Sequence, residues 1–130
     1  MGRIFKFRVW DKTFQRMIYL GDPHDSLAPR YNGEMWYYNL QNGSGGNEYD
    51  VMQYIGKSDH NGIEIYEGDI VLHVKHLVKD AYTGVVVYDE ESCSYQTGKS
   101  KYVYDQEIGV DSNEIEVAGN IYQNPELIPK

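Results

Sequence analysis

Catalysis needs ionisable or nucleophilic side chains held close together, and a few stretches of this chain offer candidates. His73 and His76 are the nearest approach to a metal pair. On a strand a spacing of three sends them to opposite faces, so they share an ion only across a bend or on a helix. No cysteine or third histidine lies beside them, and no metal site is expected. Glu64, Glu67 and Asp69 crowd one turn. Paired carboxylates act as acid and base when burial drives their pKa values apart, whereas turn carboxylates stay solvated or cap backbone amides. Asp69 is expected to cap amides, and a hydrolase using Glu67 and Asp69 ranks third among the functional readings. Asp105 to Glu114 holds four acidic residues around Gly109 but misses the spacing of a calcium loop. Cys93, between Ser92 and Ser94, has no base signature beside it. Gly43, Gly45 and Gly46 lack the Lys-Ser/Thr pair that completes a phosphate-binding loop. No catalytic residue and no cofactor is expected.

Binding needs less. Arg3, Lys6, Arg8 and Arg16 surround Trp10, and a basic hairpin with an exposed indole could stack on nucleic acid. The same residues could instead cover a core edge with their aliphatic stems. Residues 1–20 carry five basic side chains against Asp11 alone, yet the whole chain has a net charge of −8. An acidic body repels phosphate, which argues against non-specific nucleic acid binding through it. A second surface is suggested by Glu64, Glu67, Asp69, Asp89, Glu90 and Glu91 around the central strands. Rimmed by Tyr66 and Tyr88, such a surface would steer a basic protein partner.

These residues must be positioned mainly by strands. Thirteen tyrosines and thirteen glycines favour strands and turns over helices. Ile4 to Trp10 alternates, with Phe5, Phe7 and Val9 on the face expected to enter the core. Asp11 to Gln15 connects it to a second strand, Arg16 to Leu20. Gly21 to Asp50 is broken by Pro23, Pro29 and Asn42 to Asn47 and reads as an irregular, insertion-like segment. Within it, Glu34 to Leu40 is a short aromatic strand candidate, and Gly45 lies in a loop expected to tolerate substitution. Val51 to Ile55 and Ile63 to Tyr66 flank Asp59-His60-Asn61-Gly62, a hairpin signal in which Asn and Gly accept positive φ. Glu67-Gly68-Asp69 turns the chain into Ile70 to Leu77. Tyr82 to Tyr88 returns through Gly84, a residue suited to a crowded bend. Asp89 to Ser100 reads as a polar loop. Lys101 to Tyr104, Glu107 to Val110 and Ile115 to Val117 are further strands, and Asn124-Pro125 opens a helical turn with Asn124 as its cap.

The chain length suits a single domain, here residues 1–130. No apolar run approaches the ~20 residues of a spanning helix, and no charged-then-apolar leader opens the chain. With Cys93 the single cysteine, no internal disulfide can form, and a soluble, intracellular protein without a membrane partner is expected.

Three blocks carry a family resemblance. QYIGKSDHNGIEIYEGDIV, from Gln53 to Val71, resembles the central signature of the YopX family of phage and prophage proteins. FRVWDKTFQRM, from Phe7 to Met17, resembles that family's opening segment, and EVAGNIYQNPEL, from Glu116 to Leu127, its closing one. Their order and spacing also match, while residues 21–50 fall outside them. The resemblance implies a small β-rich domain with an SH3-like barrel, encoded by a phage or prophage and working in the cytoplasm of a bacterial host. It implies no reaction and no catalytic residue. The expected protein is mainly β, with an SH3-like barrel core, an N-terminal hairpin, the irregular segment 21–50 and a short C-terminal helical turn. Its expected role is that of a non-catalytic accessory protein that binds another protein and self-associates. A nucleic acid binder using the basic hairpin is the first alternative.

Overall fold

Asp11 shows how short-range chemistry sets the first element. In the computed structural model, which describes residues 4–73, 83–91, 93–99, 107–109 and 115–128, β1 (Phe7–Asp11) and β2 (Arg16–Tyr19) form an antiparallel hairpin. The Asp11 carboxylate, fully buried, closes it. Its Oδ1 accepts the amides of Thr13 and Phe14 at 3.0 and 3.1 Å, and its Oδ2 accepts Arg16 Nε at 3.1 Å. The expected Phe face is not the only buried face: Val9 on it is fully buried, but the opposite side is buried too. Phe5 is exposed and precedes the strand, whereas Arg8, Val9 and Trp10 are all buried. β1 lies between β2 and β6 (Tyr49–Ser58), so it is a central strand buried on both faces, where alternation no longer marks inside and outside.

Residues 21–50 hold regular structure rather than an irregular insertion. β3 (Asp25–Pro29), β4 (Met35–Asn39) and β5 (Gly45–Gly46) make a three-stranded antiparallel sheet with β4 in the middle. Pro29 is tolerated because it ends β3, which is an edge strand. Gly45 and Gly46 pair with Tyr38 and Tyr37, so the glycine-rich run is partly sheet rather than free loop.

The chain divides into two compact units, Ile4–Gln53 and Tyr54–Lys130. In the second, β6 continues against β7 (Glu64–Tyr66), and Asp59 pins the connection. Asp59 Oδ1 accepts the amides of Asn61 and Ile63 at 2.8 and 2.9 Å, and its Oδ2 accepts the Val117 amide at 3.0 Å. Gly62 takes the positive φ of +84° but Asn61 does not, so the connection is a five-residue loop, Asp59 to Ile63, rather than a two-residue Asn-Gly turn. Ile63 is therefore a loop residue and half-exposed, while Ile65 and Tyr66 are both buried. Burial pushes the Asp59 carboxyl up, but its three amide hydrogen bonds outweigh this and hold it below the usual range. Asp59→Ala is expected to cost about 2 kcal/mol near neutrality, since those amides lose their acceptor. A depressed folded pKa stabilises fully above the unfolded value of ~3.9 and loses that contribution as pH falls through the folded one. The gap in denaturant midpoint between wild type and variant should thus close in acid; an equal gap at pH 7 and pH 2.5 would contradict this role.

β8 (Asp69–His73) follows a turn in which Gly68 has φ +85°. The Gly68 amide donates to Val86 O at 2.9 Å and its carbonyl accepts the Ile121 amide at 2.9 Å, so the turn is held from both sides. Gly68→Val should cost ~1 kcal/mol or more through backbone strain, and an unchanged denaturant midpoint would contradict that. β8 pairs with β13 (Ile115–Asn120) on one edge and β9 (Thr83–Val85) on the other. The chain then changes partner at the fully buried Val86, and β10 (Val87–Asp89) pairs with β11 (Ser94–Lys99), which pairs with β12 (Glu107–Gly109). The polar run after Asp89 is thus largely strand, stabilised by cross-strand pairs such as Tyr88 with Tyr95. Ile65, Val71, Val86 and Ile115 form the core of this unit, with Ile55 and Val117 against it. A 3-10 helix at Pro125–Leu127 ends the described chain. Asn124 does not cap it with its side chain; its Oδ1 reaches back to accept the Asn120 amide at 3.2 Å.

Candidate functional site

The residues singled out from the sequence are placed unevenly. Arg8 and Trp10 are only 2% and 6% exposed, so they cannot form a stacking surface; as members of a central strand they belong to the interior. Lys6 is exposed, and Arg16, also exposed, is paired with Asp11. Tyr66 and Asp69 are likewise buried, at 4% and 2% exposure, which removes both from the expected acidic surface. Asp69 Oδ2 accepts the Tyr66 amide at 2.8 Å, the turn-capping role its position predicts, and the Tyr66 ring packs 5.7 Å from that of Tyr54. Glu64 and Glu67 are half-buried.

Tyr88, Asp89, Glu90 and Glu91 do come together, on the β10–β11 hairpin. Tyr88, Glu90 and Glu91 are exposed there, and Asp89 is half-buried. Cys93 sits in that turn with φ +53°, and its thiol donates to Glu90 O at 3.5 Å. The Tyr88 hydroxyl is pushed up by partial desolvation, by Cys93 beside it and by the charges of Glu90 and Asp89. Arg3, His76, Asp105, Asp111, Glu114 and the expected strand Lys101 to Tyr104 lie outside the described residues. For His73 and Glu107 only the strand placement is described. Among the described residues no three His, Cys, Asp or Glu side chains are grouped to hold a metal ion.

One concavity among the described residues was not announced by the sequence. In the N-terminal unit, β2, β3, β4 and the start of β6 surround a cleft of about 270 Å³. Tyr19, Tyr37 and Tyr49 line it together with Ile18, and Asp22, Asp25, Asn39, Asn42, Ser44 and Arg16 provide its polar groups. The Tyr37 hydroxyl donates to Asp25 Oδ1 at 2.7 Å, and Asp25 Oδ2 accepts the amides of Gly21 and Asp22, both at 3.0 Å. On the far side, Asn39 Oδ1 accepts the amides of Gln41 and Asn42 at 3.0 and 3.2 Å. Asn42 Oδ1 in turn accepts the Ser44 amide and hydroxyl at 2.9 and 2.7 Å. The Tyr37 ring meets Tyr49 edge-on at 4.9 Å.

These bonds decide what the cleft can do chemically. Burial, then the bond to Asp25, pushes the Tyr37 hydroxyl up to about 12, so it stays protonated at neutral pH. Burial alone would raise the Asp25 carboxyl, but the Gly21 amide, the Tyr37 hydroxyl and the Asp22 amide hold it below its ordinary value. The pair is thus a fixed carboxylate and a fixed phenol, neither poised to exchange a proton near neutrality. The cue in the sequence was the spacing of Asp22 and Asp25, and of Asn39, Asn42 and Ser44, which suits side chains that fold back on nearby amides.

Another concavity, of about 360 Å³, lies beside Trp36, whose Nε1 donates to Glu34 Oε2 at 3.0 Å. The Arg30 guanidinium sits 4.2 Å from the Trp36 ring centroid.

Fold and cleft together define a mainly β protein with a polar, tyrosine-lined recess. The chain belongs to the YopX family, whose model, described as YopX protein, matches residues 6–129. Two solved structures are similar. One is protein EF1440 from Enterococcus faecalis, 26% identical, with 98% of this chain and 99% of that one covered and a TM-score of 0.62. The other is protein yopX from Bacillus subtilis, 27% identical, with 95% and 97% covered and a TM-score of 0.58. No curated protein matches. Among the described residues no helix is long and apolar enough to cross a membrane.

Proposed function

We propose that this chain is a non-catalytic binding domain, phage- or prophage-encoded, that acts on another protein in the cytoplasm of a bacterial host. The observation that carries this reading is the state of the cleft in the N-terminal unit. The Asp25 carboxylate and Tyr37 hydroxyl are spent on holding loops and each other, while Tyr19, at 60% exposure, stands at the mouth. A rigid recess with an exposed aromatic suits recognition better than turnover. Within this reading, the C-terminal unit serves as the SH3-like barrel that the family resemblance implies.

Charge supports a basic protein partner over nucleic acid. Residues 1–53 carry six basic and six acidic side chains, and residues 54–130 six and fourteen, so the net charge of −8 lies wholly in the second stretch. The nucleic acid alternative loses Arg8 and Trp10 to the interior, and Lys12 pairs with Asp50 at 3.2 Å. The hydrolase alternative loses Asp69 to the Tyr66 amide.

Affinity capture from host lysate, with cross-linking and with or without nuclease, tests the reading. A discrete protein should be retained after nuclease treatment, and its capture should weaken with salt and in an Asp89→Asn, Glu90→Gln, Glu91→Gln variant. Retention that vanishes with nuclease would overturn it in favour of nucleic acid. Retention indifferent to both salt and the triple variant would remove the acidic hairpin from the contact.

A further inference from the structure

We propose that the cleft of the N-terminal unit receives a basic side chain, a lysine ammonium or arginine guanidinium, presented by the partner protein. This rests on the protein-binding reading above and names the group recognised.

Three aromatic rings, those of Tyr19, Tyr37 and Tyr49, line the cleft. The face of an aromatic ring is electronegative and attracts a cation. Asp22 and Asp25 add two carboxylates, and Ile18 offers an apolar contact for an aliphatic stem. Arg16 is the one cation among the lining residues, and its charge is already met. Its Nε donates to the fully buried Asp11 at 3.1 Å, and its guanidinium lies 5.4 Å from the Phe14 ring centroid. Arg8 already holds its guanidinium 5.9 Å from the Tyr19 ring centroid and donates to the Tyr19 hydroxyl at 3.4 Å. With Arg16 and Asp11 balanced, Asp22 and Asp25 still outnumber that single charge, so the cleft keeps a net negative character.

Both are held in place before any ligand arrives. Asp25 is fixed by Tyr37 and two amides, and Asp22 Oδ1 accepts the His24 amide at 2.8 Å. The Tyr37 hydroxyl hydrogen is committed to Asp25, so this tyrosine offers a ligand its ring rather than a donor. A cation entering here meets preorganised negative charge at little ordering cost. An anion would face two carboxylates, and a purely aliphatic group would desolvate them without compensation.

The test uses the full chain, followed through its backbone amide resonances. Nα-acetyl-lysine methylamide and the arginine equivalent are titrated beside the neutral norleucine and anionic glutamate equivalents. The cationic probes should shift the amides of Asp22, Asn42 and Ser44 saturably, and the other two should not. Asp22→Asn, which keeps an acceptor for the His24 amide, and Tyr19→Leu should each weaken cation binding by about two- to fivefold. Equal shifts from norleucine, a preference for glutamate, or no shift in that region would overturn the proposal. Its fate is separable from that of the protein-binding reading. A partner captured by a chain that binds no cation leaves that reading standing without this pocket. Cation binding with no captured protein would overturn the proposal as stated, because a free small cation would then be the ligand.

Discussion

Gly84→Ala is expected to lower the unfolding free energy by about 3 kcal/mol, among the largest effects of a single added methyl group in this chain. Gly84 pairs with Val71 in the β8–β9 ladder, and a Cβ built on it would run into the backbone carbonyl oxygen of Thr97. Its φ lies outside the left-handed region, so the cost is purely steric. A flexible side chain could swing away, but a carbonyl in β11 moves only if the strand moves. Thr97 is itself almost fully buried, which leaves no direction for relief. Against a typical total of 5–15 kcal/mol, such a loss should be plain in a denaturant titration. Gly21→Ala is the control, since nothing lies within 4 Å of its Cβ position. A Gly84→Ala midpoint matching that control would mean that β9 and β11 do not approach as described.

Gly45→Ala should be of similar size, on the order of 3 kcal/mol, with two causes instead of one. Gly45 has φ +153°, at the margin of what side chains adopt. A Cβ there would also collide with the Tyr37 carbonyl oxygen and come within 2.7 Å of Tyr38 Cα. The Gly45–Tyr38 pairing could not form, and the β4–β5 edge would open. Gly43→Ala separates the two causes. It has φ +75° but open space around it, so it should show only the backbone strain, ~1 kcal/mol. Hydrogen exchange gives the local readout: the Asn39 amide, which donates to Ser44 O at 2.7 Å, should lose protection in Gly45→Ala. Because Ser44 and Asn42 line the cleft, the same variant should weaken cation binding there. Equal losses for Gly43→Ala and Gly45→Ala would contradict the close approach of β5 to β4.

The sequence by itself determined whatever depends on neighbours along the chain. The hairpin after Asp11, the turn at Gly68, the loop at Asp59 to Gly62 and the helical turn at Pro125 all follow from side chains and backbone preferences within a few residues. The aromatic run around Trp36 was legible as a strand for the same reason. Family membership was legible too, because the three blocks that carry it coincide with those local signals. What only the tertiary structure decided is which faces are inside. Alternation in β1 cannot show that both of its faces are covered, so Arg8 and Trp10 passed for a surface. Tyr66 passed for part of a rim and Asp69 for a surface carboxylate because their burial is set by distant segments, as in the hydrogen bonds of the Gly68 turn to Val86 and Ile121. Gly45 looked tolerant because nothing local reveals that β4 lies against it. The cleft was hidden for the same reason. Its residues run from Arg16 to Tyr49, and they meet only because two separate sheets, one holding β2 and β6 and the other β3 and β4, come together there.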